Sequence, residues 1–106
     1  MNIKNIISRR SFIFCPGLRP DMFPKAVNSG TDIVCIELED GIAPKDKDQA
    51  RKLTLDLFSS PLDSKGAELI VRINSVRDKF GLADIQAILK TSSPPPAIML
   101  PKVKTP

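Results

Sequence analysis

The 106-residue sequence contains no histidine, tryptophan or tyrosine, so its only aromatic residues are five phenylalanines. Without histidine, this chain cannot build a Ser-His-Asp triad, a histidine metal site or an HExxH protease site. No apolar run reaches the roughly 18 residues that a membrane-spanning helix requires, and we expect no membrane partner. Basic and aromatic residues do not interleave in a base-stacking stripe, so we expect no nucleic-acid partner either.

Cysteine is also scarce, and its placement excludes several kinds of chemistry. Cys15 and Cys35 lie in separate apolar runs, and the sequence contains no CxxC motif. A nucleophilic cysteine needs a neighbouring base, usually histidine, which this chain lacks. The pattern therefore predicts two reduced, buried thiols in a cytoplasmic protein.

The net charge of +4 arises in the first thirty residues. This segment has one acid, Asp21, and five bases: Lys4, Arg9, Arg10, Arg19 and Lys25. An anion site near the N-terminus would explain the excess, and a solvated basic leader explains the first three bases equally well. We predict a basic leader at 1–10, whose apolar stretch is too short for a secretory signal peptide, and a domain at 11–106.

Short apolar runs alternate with amphipathic stretches of helical length. Strands are predicted at 11–15, 32–38, 68–73 and 97–100, and helices at 21–29, 46–58 and 82–90. Asp21 is predicted to cap the first helix. The predicted apolar faces of the next two helices are Ala50, Leu53 and Leu57, and Leu82, Ile85, Ile88 and Leu89. This β-α-β-α-β-α-β order with continuous apolar strands predicts an α/β fold whose parallel sheet is covered on its faces.

The loops that follow the predicted strands carry most of the charged and glycine-containing motifs, whereas the loops that precede strands consist mainly of turn-forming residues. In parallel α/β folds, ligands bind at the carboxyl ends of the strands. The sequence therefore predicts a functional site at that end of the sheet.

Arg72 is the strongest single candidate, because it lies near the end of a predicted buried strand. Strand alternation places it on one face with Ile70 and Asn74, opposite Leu69, Val71 and Ile73. An arginine there must pair with an acid or bind an anion. Its guanidinium fork suits a substrate carboxylate, with Asn74 at the mouth of the site. A structural ion pair with Glu37 or Glu39 is an equally good interpretation from the residues alone.

Three carboxylates, Glu37, Glu39 and Asp40, cluster at the end of the second predicted strand. Clustered carboxylates repel one another and require a divalent cation, a cationic partner or a raised pKa. Carboxylate and water ligands suit Mg²⁺. The alternative is pairing with Arg72 or a helix.

The first loop, from Pro16 to Asp21, has weaker features. Gly17 would allow close backbone approach, and Arg19 and Lys25 flank the start of a predicted helix, a geometry that can hold a phosphate. Neither GxxxxGK[ST] nor GxGxxG is present, so the loop is not a P-loop.

Taken in order, these motifs resemble the citrate lyase beta subunit-like branch of the HpcH/HpaI aldolase family. The resemblance covers roughly residues 10–104. It rests on the segment 11–17 (SFIFCPG) with Arg19-Pro20, the segment 32–41 (DIVCIELEDG) with Pro44, Lys45 and Arg51, and the segments 71–74 (VRIN) and 100–103 (LPKV).

The resemblance implies a TIM barrel and a Mg²⁺-dependent carbon–carbon lyase. Its substrates would be acyl-CoA or acyl-carrier-protein thioesters of hydroxy-dicarboxylic acids. Arg72 and Asn74 would bind the substrate, and Glu37, Glu39 and Asp40 would lie near the metal and its waters. Gly17, Arg19 and Lys25 would contact the carrier phosphates, whereas no role is implied for Lys102. Relatives of this kind are commonly homo-oligomers.

The length limits this interpretation, because a closed (β/α)₈ barrel needs about 250 residues. Four predicted strands form about half of such a barrel, and the direct Glu and Asp metal ligands are expected beyond Pro106. Half a barrel would expose two strand edges and an apolar sheet face. The alternative expectation is therefore a non-catalytic fragment, or a subunit that needs a complementing half.

Overall fold

The computed structural model describes residues 11–101; the predicted leader at 1–10 and Lys102 lie outside the described residues. The elements are β1 (Phe12–Pro16), α1 (Phe23–Asn28), β2 (Ile33–Glu37), α2 (Lys47–Ser59), β3 (Glu68–Arg72), α3 (Lys79–Lys90) and β4 (Ile98–Met99). Short 3₁₀ turns, Pro20–Met22 and Pro44–Asp46, precede α1 and α2. The predicted order of strands and helices is confirmed.

All four strands are parallel, in the spatial order β1-β2-β3-β4. The register aligns Pro16 with Glu37, and Glu37 with Arg72. Partners in a parallel register point to the same side of the sheet. The ends of β1, β2 and β3 therefore present these three side chains on one face.

The opposite face of the sheet carries the hydrophobic core. Its central side chains, Val34, Ile36, Val71 and Ile73, are almost fully buried. They share one apolar cluster with residues of the first two helices, Phe23, Ala26, Val27 and Ala50. Helices thus cover this face, as the apolar periodicity of the sequence predicts.

The first helix begins later than predicted, and Asp21 does not cap it. The α-helix starts at Phe23 after a 3₁₀ turn that begins at Pro20, and no side chain caps either element. The Asp21 carboxylate instead accepts two hydrogen bonds from Arg19. Beyond the helix, Gly30 adopts a positive φ of 82°, as is common after a helix C-terminus.

The third helix starts three residues earlier than predicted, and its predicted apolar face is confirmed only for Ile85 and Ile88, which pack against the core. Asp78 caps it by accepting hydrogen bonds from the N–H groups of Phe80 and Gly81. Leu82 and Leu89, predicted to be in the core, are 54% and 79% exposed. Gly81 and Asp84 are buried instead, because Asp84 bonds to groups on α2 and after β3.

The face of the sheet that carries Arg72 is not covered by the helices, so the prediction of a sheet covered on both faces is wrong for residues 11–101. Phe12 and Phe14 of β1 are 38% and 52% exposed there. Their rings contact each other with centroids 5.0 Å apart. The predicted exposure of an apolar sheet face is confirmed for these two residues. No helix within the described range has the length and apolarity needed to cross a membrane.

Candidate functional site

A cleft of about 370 Å³ lies at the carboxyl ends of β1, β2 and β3. It is lined by Phe14, Pro16, Glu37, Asp40, Gly41, Ile42 and Arg72. Three of the residues predicted from sequence, Glu37, Asp40 and Arg72, therefore meet in one cleft. The cleft is open to the uncovered face of the sheet, where a ligand can enter.

Arg72 lies between two carboxylates without being tightly bound by either. Its two terminal nitrogens are 3.6 Å from Glu37 Oε2 and 3.2 Å from Glu39 Oε1. Charge-assisted N–H···O bonds are usually about 2.7–2.9 Å long. Its Nε is buried and has no hydrogen-bond partner within residues 11–101. The predicted ion pairs exist, yet the guanidinium retains donor capacity for an incoming anion.

The side chain of Glu37 stabilises the loop that follows β2. One carboxylate oxygen accepts hydrogen bonds from the backbone N–H of Glu39 at 3.1 Å and of Asp40 at 2.7 Å. The side chain is nearly buried, and its other oxygen faces Arg72. Part of the acidic cluster is thus explained by a carboxylate that satisfies two backbone donors.

The acidic cluster does not by itself form a complete metal site. Within residues 11–101, no group of three or more Asp, Glu, Cys or His side chains is placed to hold a metal ion. Glu37 is bound to backbone N–H groups and Glu39 lies against Arg72, so Asp40 is the most exposed of the three. The described residues therefore do not fit a full Mg²⁺ coordination sphere.

Asn74 does not share the face of Arg72, and this prediction from strand alternation is wrong. The strand ends at Arg72, and the chain then turns so that Asn74 is only 2% exposed beneath α3. Its amide bonds Asp84 through Nδ2 at 2.7 Å and accepts from Lys47 at 2.6 Å. Asn74 therefore lies outside the cleft that Arg72 lines.

A buried polar network behind the cleft was missed at the level of sequence. It joins Lys47 and Arg51 of α2 to Asn74 and to Asp84 of α3. Arg51 Nε lies 2.7 Å from Asp84 Oδ1. The available signal was two bases four residues apart, the first of them at the start of a helix, where cations are disfavoured.

Arg19 and Lys25 are both exposed near α1. Arg19 forms a two-pronged ion pair with Asp21, whose hydrogen bonds lower the pKa of that carboxyl group. Gly17 is needed for a reason other than phosphate approach. A Cβ there would lie 2.7 Å from a methyl group of Leu38 and 3.0 Å from Thr54 Oγ1, so the close contact is with the protein itself.

Both cysteines are free and buried, as predicted. Burial, with a smaller effect from the charge of Glu37, raises the pKa of Cys35 from 9.0 to about 11. Burial also raises the pKa of Cys15, and the charge of Asp21 adds to this. Neither thiol is activated as a nucleophile, because nucleophilic cysteines have lowered pKa values.

Known proteins with similar sequences indicate the family to which this chain belongs. L-malyl-CoA/beta-methylmalyl-CoA lyase of Rhodobacter capsulatus is 38% identical over 95 residues, which are 89% of this chain and 30% of that protein. Citrate lyase subunit beta of Leuconostoc mesenteroides subsp. cremoris is 37% identical over 97 residues, or 92% of this chain and 31% of that protein. The chain spans about a third of the length of these relatives.

A similar fold occurs in the crystal structure of CitE from Mycobacterium tuberculosis in complex with magnesium, acetoacetate and coenzyme A. The two share 36% identity with a TM-score of 0.68, over 87% of this chain and 32% of that chain. The predicted fold, a β-α-β-α-β-α-β portion of a TIM barrel, is confirmed. The profile of the HpcH/HpaI aldolase/citrate lyase family matches residues 10–106, and the chain therefore belongs to this family.

Proposed function

We propose that this chain forms the substrate-carboxylate side of a Mg²⁺-dependent carbon–carbon lyase. Its substrates would be acyl-CoA or acyl-carrier-protein thioesters of hydroxy-dicarboxylic acids. The observation that carries the proposal is Arg72, which lines an open cleft and whose terminal nitrogens are held only loosely by two carboxylates. Membership of a family of lyases supports the reaction class.

Arg72 would bind the free carboxylate of the substrate through two parallel N–H···O bonds. Glu39 is the contact that can yield, because its side chain is about a third exposed and can turn towards water. Glu37 stays in place, since its other oxygen holds two backbone N–H groups. The result is a fixed guanidinium plane that orients the substrate by its carboxylate.

Bound Mg²⁺ would supply electrostatic stabilisation of the enolate that forms when the carbon–carbon bond breaks. The described residues lack a complete ligand set, so the direct ligands would have to come from outside residues 11–101. Asp40, exposed at the rim of the cleft, would accept hydrogen bonds near the metal and its waters. Clustered acids there would also raise the local concentration of cations.

The carrier end of the substrate would lie towards Arg19 and Lys25. The Arg19–Asp21 pair is exposed, with side chains 60% and 65% accessible. Exposed pairs contribute little stability, so a phosphate can compete for Arg19 at small cost. Gly17 would act only by shaping the loop that carries Arg19.

The test is cleavage of malyl-CoA, citramalyl-CoA and citryl thioesters with Mg²⁺ by the chain combined with the C-terminal part of a relative, under conditions where wild type is active, comparing wild type with Arg72→Lys. Lysine keeps the charge but loses the two-pronged geometry, and we expect kcat/KM to fall by about 100-fold or more. The control is Arg77→Lys, an exposed arginine in the next loop. Equal activity of wild type and Arg72→Lys would remove Arg72 from the site.

A second candidate is a non-catalytic subunit that needs a complementing half. It is favoured by the exposed Phe12 and Phe14 and by the lack of a metal ligand set within residues 11–101. Calorimetric titration with Mg²⁺ and CoA separates the two candidates. Absence of binding by the chain alone, with binding restored by the C-terminal part of a relative, would favour the second.

A further inference from the structure

Lys47 occupies a position that disfavours lysine for two reasons. It is the first residue of α2, where the positive end of the helix dipole repels a cation. It is also buried, whereas lysine is rarely buried unless its ammonium group is paired. Helix formation and solubility therefore do not account for Lys47, and contacts outside the helix must offset both costs.

These contacts engage all three donors of the ammonium group. Nζ lies 2.6 Å from Asn74 Oδ1, 3.0 Å from the carbonyl oxygen of Glu39 and 3.4 Å from that of Leu38. An ammonium group has three donors and no acceptor. Two of the acceptors follow β2 and the third follows β3. Lys47 thus ties together the ends of two neighbouring strands.

The backbone of Glu39 is fixed on both sides by these bonds. Its N–H donates to Glu37 Oε1 at 3.1 Å, and its carbonyl accepts from Lys47. The side chain of the same residue reaches to 3.2 Å from Arg72. With its backbone fixed, Glu39 can approach Arg72 from only a small range of positions.

The other end of the connection is equally firm. Asp84 accepts from both the backbone N–H and the side-chain amide of Asn74, at 2.9 and 2.7 Å, and pairs with Arg51. The amide orientation is determined, because a flip would place NH₂ against the ammonium of Lys47 and oxygen against a carboxylate. Asn74 is therefore a rigid anchor for Lys47.

From these contacts, we propose that Lys47 is a positioning residue of the carboxylate site. It acts through the Glu39 backbone, and it sets how closely the acidic loop 37–40 approaches Arg72. It touches no ligand in the cleft itself. The inference rests on the proposed function, because the site that Lys47 positions is the Arg72 site.

The test compares Lys47→Met with Lys52→Met in the full chain. Lys52→Met is the matched control, because it removes the same charge from the same helix, and within residues 11–101 Lys52 pairs only with Asp56, on the surface. Amide hydrogen exchange is followed by mass spectrometry. We expect exchange in segment 38–42 to accelerate by about tenfold or more in Lys47→Met and by less than about twofold in the control.

A purely structural role would give a different pattern. If exchange rose equally in β1 and α1, or did not change at 38–42, the positioning role would be overturned. Lys47→Arg keeps donors near both carbonyls and should restore slow exchange in part. If Lys47→Met does not fold, Asn74→Ser removes the acceptor at 2.6 Å together with the Nδ2 bond to Asp84, and leaves the two backbone carbonyl acceptors of Lys47 in place. Unchanged exchange at 38–42 in that variant would likewise overturn the proposal.

Titration with L-malate and Mg²⁺ separates this inference from the proposed function. In wild type, malate should slow exchange around Arg72, and Lys47→Met should weaken this effect by about tenfold. If malate does not change exchange in wild type but Lys47→Met accelerates exchange at 38–42, the proposed function is contradicted and the positioning role of Lys47 is not. If malate binds both proteins equally, the proposed function stands and the role of Lys47 falls.

Discussion

Arg51 and Arg72 each face two carboxylates, yet they are held in different ways. Arg51 lies 2.7 Å from Asp84 and 3.0 Å from Asp48, and its side chain is 13% exposed. Arg72 lies 3.2 Å from Glu39 and 3.6 Å from Glu37, with 23% of its side chain exposed. The first arginine is held by two short ion pairs within the fold, although its buried Nη2 also has no hydrogen-bond partner within residues 11–101. The second has donors left for a ligand.

Their surroundings explain the difference. Arg51 lies on the helix-covered side, where it joins α2 to α3 through a fully buried carboxylate. Burial acts to lower the pKa of Arg51, but the hydrogen bonds from it to Asp84 and Asp48 outweigh this and raise it. Arg72 projects from the uncovered face into the cleft. Of these two arginines, the one with short ion pairs therefore joins two helices, and the one with longer ion pairs lines the cleft.

The largest effect on stability is expected from Arg51→Met. Methionine preserves much of the packed stem but leaves Asp84 buried without its cation. Removing one partner of a buried pair typically costs about 3–5 kcal/mol, and we expect the lower end of this range because Asn74 still bonds Asp84. Urea unfolding of the full chain measures the change. A loss below about 1 kcal/mol would show that the short pair is not a scaffold contact.

A slightly smaller effect is expected from Gly81→Ala, which tests the same scaffold without changing charge. A Cβ at this position would overlap the carbonyl group of Ser75, so α3 would have to move away from the turn that holds Asn74. We expect a cost of about 2–3 kcal/mol from overpacking. Gln86→Ala, on the exposed side of the same helix, is the control. Equal stability of both variants would contradict the close packing of α3.

Local patterns predicted the order of elements and the end of the sheet at which the cleft lies, because both depend on short-range periodicity. Arg72 and Glu37 could be placed on one face because each lies within a strand, where successive side chains point to opposite faces of the sheet. Asn74 could not, because the strand has ended and a distant carboxylate determines where it lies. The contacts that place it join residues 27 and 10 positions apart in sequence.

The same limit explains the third helix. Of its predicted apolar face, Ile85 and Ile88 pack against the core, but Leu82 and Leu89 are exposed and Asp84 is buried against Arg51 instead. Apolar periodicity gives no weight to a buried acid, so this face could not be found by counting hydrophobic residues. Asp78, three residues before Gly81, was a readable N-cap signal for the earlier start.

A smaller loss of stability is expected from Arg72→Met. Glu37 would keep its two backbone donors, and Glu39 would turn towards solvent. We therefore expect a cost of about 1 kcal/mol in urea unfolding, well below that of Arg51→Met. Malate binding should nonetheless be lost only in the Arg72 variant. If Arg72→Met proved the more destabilising of the two, the assignment of scaffold and site would be reversed.

The smallest effect concerns Cys35, which lies on the same face as Arg72. Its pKa of about 11 exceeds the ordinary value of 9.0, mainly through burial and then through the charge of Glu37. The folded state therefore holds the thiol proton more tightly than the unfolded state does. Stability from this group is complete below pH 9.0 and should fall as pH rises towards 11.

Arg72 lowers this pKa through a backbone hydrogen bond and, to a smaller extent, through its positive charge. Arg72→Met removes only the charge and should raise the pKa by less than one unit, whereas Arg51→Met should leave it unchanged. Ultraviolet absorbance of the thiolate, measured during a pH titration in a Cys15→Ser background, reports Cys35 alone. An unchanged pKa of Cys35 in Arg72→Met would mean that the charge of Arg72 has no effect on the thiol beneath the cleft. A shift of the Cys35 pKa in Arg51→Met would mean that the charge of Arg51, on the helix-covered side of the sheet, also acts on a thiol on the open side.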